Sequence, residues 1–199
     1  GRVYQALIDA GAEAVMAAHI KCPAYSKFLN PDLADQDILP GSLSKELLNG
    51  LLRGRLGFNG VIVSDDTHMA GFTNAMSREE AVPYMIAAGV DMMLFTVNHE
   101  EDVRFMKKGY EEGVITPERL DEAVLRILAM KAKLRLYERA LPQEKAARTC
   151  IRCEEHEKLA KECADKAVTL VKDREGLLPL TPEKYRRMLL VNIESVKAV

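Results

Sequence analysis

Gly60-Val61-Ile62-Val63-Ser64-Asp65-Asp66-Thr67-His68-Met69 is a short apolar run that ends abruptly in acidic and polar residues. A parallel strand covered on both faces has this composition, and α/β barrels place their catalytic groups at the carboxyl ends of such strands. Side chains alternate along a strand, so Val61, Val63 and Asp65 share one face while Ile62, Ser64 and Asp66 share the other. One aspartate can then enter a pocket while its neighbour braces the rim; the two are not a matched acid–base pair. The plain alternative is that one of them only caps the following turn, as acidic residues after strands often do.

On the N-terminal side, the leucines at 47, 48, 51 and 52 predict a helix from Leu43 to Leu56, capped by Ser42 or Ser44 and stopped by Gly57. Residues 19–42 read as a long loop with Pro23, Pro31 and Pro40, and loops of that length are often functional. Earlier still, Arg2 to Asp9 reads as a helix ended by Gly11, and Ala14-Val15-Met16-Ala17 as a short buried strand. On the C-terminal side, Ser77 caps a helix over 78–88 that Pro83 should kink or break. A strand over Asp91–Phe95 follows, then a helix to Glu112. Thr116-Pro117-Glu118 opens another helix, running to about Leu136.

Helix and strand thus alternate three times, which argues for a parallel sheet with right-handed crossovers. Three strands cannot close a barrel, so this is a small open sheet or the end of a larger one. From Ala140 to Arg152 the pattern lapses into a charged linker. A helix over 154–166 and strands at Val168–Val171 and Met188–Val191 then look like the opening of a new α/β unit.

The chain has 199 residues, a formal net charge of −2, 48% hydrophobic and 29% charged residues. That balance gives no electrostatic reason to expect nucleic acid or an anionic membrane as partner, and no apolar run approaches the roughly 20 residues a membrane helix needs. A start at Gly1, directly in a helix, reads as cut; with no leader visible, the expected compartment leans towards the cytoplasm. Four cysteines are too sparse for a disulfide scaffold. Cys150-x-x-Cys153-x-x-His156, with Cys163 beyond, has zinc-binding residue types but matches no common zinc spacing. The preferred reading is a solvated helix with incidental thiols, and no metal or organic cofactor is expected.

The run from Leu52-Arg53-Gly54-Arg55-Leu56-Gly57-Phe58-Asn59-Gly60-Val61 to Ser64-Asp65-Asp66 resembles the nucleophile segment of family 3 glycoside hydrolases. Ala10–Ile20, with its Ala-His-Ile end, is similar to the family's preceding strand, Ala87–Leu94 to its last barrel strand, and Gly113–Lys131 to the closing helix. Ala167–Leu180 resembles the entry to the second, sandwich-like domain. Asn59 stands where aspartate is usual and Arg135 where glycine is common. The domain expectation is therefore a C-terminal part of a TIM-type (β/α)8 barrel over 1–138, a linker and helix over 139–165, and an incomplete second α/β domain over 166–199.

The resemblance implies a retaining β-glycosidase with Asp65 as the nucleophile that bonds to the anomeric carbon. Retention needs a second group roughly 5 Å away to protonate the leaving oxygen and later activate water. In the hexosaminidase branch a histidine in a Lys-His-Phe-Pro-Gly-His-Gly loop does this, and that loop is absent here; it belongs to a missing N-terminal half of the barrel. Asp66 and Met69 favour the β-N-acetylhexosaminidase branch, hence an N-acetylglucosaminide substrate, since glucosidase-like members tend to carry Trp after the nucleophile. His19 and His68, at strand exits, join Asp66 and Met69 as sugar-binding candidates, although a lone histidine there is more often a hydrogen-bonded structural residue. Other readings stay open: a non-catalytic fragment or subunit, a family 3 β-glucosidase, or a metal enzyme using Asp65 and Asp66, which lacks converging ligands.

Overall fold

The computed structural model describes residues 1–138, 144–173, 175–189 and 191. They belong to two compact units, Gly1–Ala140 and Leu141–Val199.

In the first unit, β1 (Ala14–Ala17), β2 (Val61–Asp66) and β3 (Met92–Leu94) form one parallel sheet in the order β1-β2-β3. Ala14 pairs with Val61 and Met16 with Val63, so these four share a face, and Val63 pairs in turn with Met92. Ala14 and Met16 are exposed on it. The other face carries Ala17 and Ile62 into the core, where they meet Leu48, Leu52, Phe72, Met85, Ala88 and Val90. That first face is therefore bare along β1, although Val61 on it is buried. A parallel sheet is normally covered on both.

The helices differ from expectation in instructive ways. After α1 (Arg2–Asp9), residues 19–42 are not a bare loop: α2 (Pro23–Leu29) starts with Pro23 at its first turn, where the missing N–H costs nothing. The leucine-rich helix runs from Glu46 to Arg55 and is of the wide π type, with Leu56 N–H bonded to Leu51 C=O. Lengthening the turn beyond about 3.6 residues suits leucines spaced by four, and Leu48 and Leu52 are both buried. Ser44 Oγ accepts from Leu47 N–H, 3.3 Å away, while Ser42 is used elsewhere.

A short helix, α3 (Ala70–Thr73), leads to α4 (Arg78–Ala88), which Pro83 does not break. Pro83 is buried and packs on Gly109 of α5 (His99–Glu111), where a Cβ would collide with its ring. The proline's lost hydrogen bond is set against close packing that only glycine permits. The last helix of this unit, α6 (Pro117–Lys133), is capped by Thr116 Oγ1, which accepts from Arg119 N–H. It ends two residues before Arg135, whose φ of 55° is the left-handed conformation a glycine would adopt freely.

Asp91, expected to open the third strand, lies just outside it. Its side chain is fully buried at the amino ends of β2 and β3, accepting from Ile62 N–H at 2.8 Å, Arg53 at 2.6 Å and Arg119 at 2.5 Å. Arg53 also donates to Phe58 and Gly60 C=O. Asn59 accepts from Arg126, which lies 3.6 Å from Asp91. This knot ties the foot of the sheet to α6.

The second unit holds α7 (Glu144–Cys150) and α8 (Glu154–Ala167). The strand expected at Val168–Val171 is absent: Val168 and Val171 are 83% and 91% exposed and make no ladder. Among the described residues no strand follows β3, and a lone strand with nothing to pair with leaves its backbone groups to water. The strand expected at Met188–Val191 lies partly outside the described residues; Met188, Leu189 and Val191 are not in one.

Candidate active site

The carboxyl end of β2 is where the ladder breaks step. Val63 pairs with Met92 and Asp66 with Leu94, so β2 takes three steps against two on β3, and the surplus falls at Ser64 and Asp65. Such a bulge re-aims side chains next to active sites. Ser64, fully buried, mends the gap: its Oγ accepts the Leu94 N–H at 2.9 Å.

Asp65 is half-buried, and its Oδ1 accepts from Asp66 N–H at 2.8 Å. Asp66 turns to the following residues, its Oδ1 taking the His68 N–H at 2.8 Å and the His68 ring Nδ1 at 2.7 Å. These bonds, the backbone one first, hold the Asp66 carboxyl below its ordinary pKa. The turn-capping role foreseen for one aspartate thus falls to Asp66, and Asp65 has no side-chain partner among the described residues. The side chain of His68 is 53% exposed. Met69, 46% exposed, sits just before α3.

His19 is in a different situation. It is 7% exposed, with Nε2 3.1 Å from the Asp66 C=O and Nδ1 2.6 Å from Ser42 Oγ. A carbonyl can only accept, so Nε2 carries the proton and Nδ1 accepts from the Ser42 hydroxyl. The ring is tilted on Phe72 at 5.0 Å, and Gly71, lacking a Cβ, fits against the His19 carbonyl. Both ring nitrogens are engaged inside the protein, and their link runs from the exit of β1 to the backbone of the turn that follows β2.

Three further residues, none of them a site candidate in the sequence, hold that turn: Ser42, Thr67 and Arg78. Thr67 is fully buried, and its hydroxyl donates to Phe95 C=O at 2.6 Å; Phe95 has a φ of 52°. Arg78 Nη1 donates to Thr67 C=O at 3.1 Å. All three are common polar types at helix or turn positions, and only their partners, 11 to 28 residues away in the chain, mark them out.

The cysteine cluster does not converge. Cys150 ends α7 and Cys153 precedes α8, with Arg152 at a φ of 55° between them, so Cys150, Cys153 and His156 do not lie on one helix. Among the described residues, no three His, Cys, Asp or Glu side chains come together as a metal site.

Known proteins are similar to this chain in sequence and fold. A "Beta-N-acetylglucosaminidase/beta-glucosidase" of Cellulomonas fimi is 51% identical over 195 residues, covering 98% of this chain and 35% of that protein. A solved β-glucoside phosphorylase, BglX, bound to 2FGlc, is 52% identical with a TM-score of 0.81, covering 92% of this chain and 33% of the other. A family 3 β-N-acetylglucosaminidase from Paenibacillus sp. str. FPU-7 superposes with a TM-score of 0.55 at 27% identity, over 91% of this chain and 28% of its own. The chain thus spans about a third of the length of the first of these relatives. Residues 1–130 match the model of the glycosyl hydrolase family 3 N-terminal domain, and the chain belongs to that family.

Proposed function

We propose that this chain supplies the nucleophile-bearing part of a retaining enzyme acting on β-glycosides, with Asp65 forming a covalent glycosyl ester. The observation that carries the proposal is Asp65 itself, at a bulged strand end, with its neighbour Asp66 already committed to the turn. The substrate we favour is a terminal β-N-acetylglucosaminide, on the grounds of Asp66 and Met69 following the nucleophile. The exposed side chains of His68 and Met69 are the sugar contacts we favour; His19 acts from behind the loop. The three strands take their place as the C-terminal part of an eight-stranded barrel, β1 and β3 each having one unpaired edge among the described residues. Residues 139–165 are a linker and helix, and 166–199 begin a second domain.

Among the described residues Asp65 has no side-chain hydrogen-bond partner, and in this reading a histidine elsewhere in the full-length polypeptide protonates the leaving oxygen. In the first step the glycosidic oxygen takes that proton and departs as C1 bonds to Asp65; in the second, an acceptor oxygen attacks C1 and releases the carboxylate. A second reading concerns that acceptor. The high similarity to a β-glucoside phosphorylase favours phosphate in place of water, which would release a sugar 1-phosphate.

The test is an aryl β-N-acetylglucosaminide and the matching aryl β-glucoside, offered to the full-length polypeptide with and without phosphate. Asp65→Asn should lower kcat by on the order of 10⁴-fold or more without altering the fold. A fluorinated glycoside trap should label Asp65, and a label on another residue would overturn the assignment. Release of sugar or of sugar 1-phosphate decides the acceptor.

A further inference from the structure

Behind the nucleophile loop lies an ion pair that the glycosidase reading does not use. Asp102, in the first turn of α5, has a side chain only 2% exposed, and its Oδ1 accepts from Arg78 Nη2 at 2.5 Å. Arg78, at the start of α4, directs its other terminal nitrogen to the Thr67 carbonyl.

That division of labour is chemically poor for a simple tie between two helices. A guanidinium facing a carboxylate gains most by a two-pronged bond, each nitrogen to one oxygen. Here the fork is split, and Asp102 Oδ2 is left buried with no hydrogen-bond partner among the described residues. A buried ion pair is in any case weak evidence of stability, since apolar packing often does as well. What the split fork does achieve is to hold one backbone carbonyl, two residues past Asp65, from a rigid helix. Thr67 is further pinned through its hydroxyl to Phe95, and Asp66 C=O by His19. The residues just after the bulge are therefore fixed from the segments that follow β1 and β3, and from α4.

We propose that Arg78, clamped by Asp102, is a positioning residue for the nucleophile: it sets the height and rotation of residues 65–67, and through them the line of approach of Asp65 to C1. This rests on the assignment of Asp65 as nucleophile. The Asp102 side chain is buried, and Arg78 spends both terminal nitrogens on protein partners, so in this proposal neither serves as a sugar contact. Their loss should therefore slow the chemical step and spare substrate binding.

The test uses the full-length polypeptide, with rates expressed per competent site after titration with a slow fluorinated glycoside. Asp102→Asn keeps the shape and removes the charge that holds Arg78. Arg78→Lys keeps a cation beside Asp102 but cannot span both partners. Each is expected to lower kcat per titrated site by about 10- to 100-fold, to slow trapping of the ester in parallel, and to leave KM within about twofold. An unchanged kcat per titrated site in folded protein overturns the proposal. So does a loss of activity that vanishes once rates are normalised to titrated sites, which is the signature of a purely structural tie. Should Asp102→Asn not fold, Arg78→Lys alone decides between these outcomes. Asp65→Asn, run alongside, separates the two ideas: if it retains turnover, the nucleophile assignment fails; if it is dead while both clamp variants behave as wild type, only the clamp is lost.

Discussion

Asp65 and Asp66 are identical side chains on consecutive residues, and their surroundings give them different work. Asp66 is held by the His68 backbone N–H and ring, and so titrates below the ordinary aspartate value. Because the folded pKa is depressed, the contribution of this turn is complete above the unfolded aspartate value of about 3.9 and is lost as pH falls through the folded one. Carbon-detected NMR of the carboxyl should show the low titration. In His68→Ala it should move part of the way up, because the backbone donor survives. No movement at all would mean that the ring is not a partner.

Elements are held to one another at the foot of the sheet by Asp91, far from the chemistry. Four groups converge on this carboxylate or stand near it: Arg53, Arg119, Arg126 and the Ile62 N–H. Removing it strands buried guanidinium groups, and Asp91→Ala is expected to cost about 3–5 kcal/mol. Urea unfolding of the full-length polypeptide measures this; a loss below about 1 kcal/mol would show that the knot is not what secures β2 and β3 to α6. The activity that remains, per folded molecule, should be close to normal. The contrast with Asp102 is instructive, since both are buried carboxylates on arginines. One braces the amino end of the sheet and the other the end that carries Asp65.

For the whole molecule, the bare face of the sheet is the governing fact. Met16 is 49% exposed and Ile20 68%, and the outer edge of β1 has no partner among the described residues. Closure of a barrel removes such edges and excludes water from the pocket. The 199-residue chain alone is therefore expected to hydrolyse an aryl N-acetylglucosaminide no faster than buffer. A release assay checks this. Turnover that Asp65→Asn abolishes would place a proton donor within this chain and sink the division of catalytic labour proposed here.

The alternation of the three strands with the longer helices of the first unit, the parallel sheet and Asp65 at a strand tip could be read along the chain, because apolar periodicity, caps and stops act between near neighbours; the short helices α2, α3 and α7 could not. The unbroken α4, the wide leucine helix, the burial of Asp91 and the bulge at Ser64 could not. Each depends on a partner distant in sequence: Gly109 beneath Pro83, Arg119 on Asp91, Leu94 on the Ser64 hydroxyl. The same holds for His19, which the chain presents as a possible sugar ligand and the fold places between Ser42 and the Asp66 carbonyl. Local patterns set which elements form, whereas burial and hydrogen bonding across the fold decide what each polar side chain is left free to do.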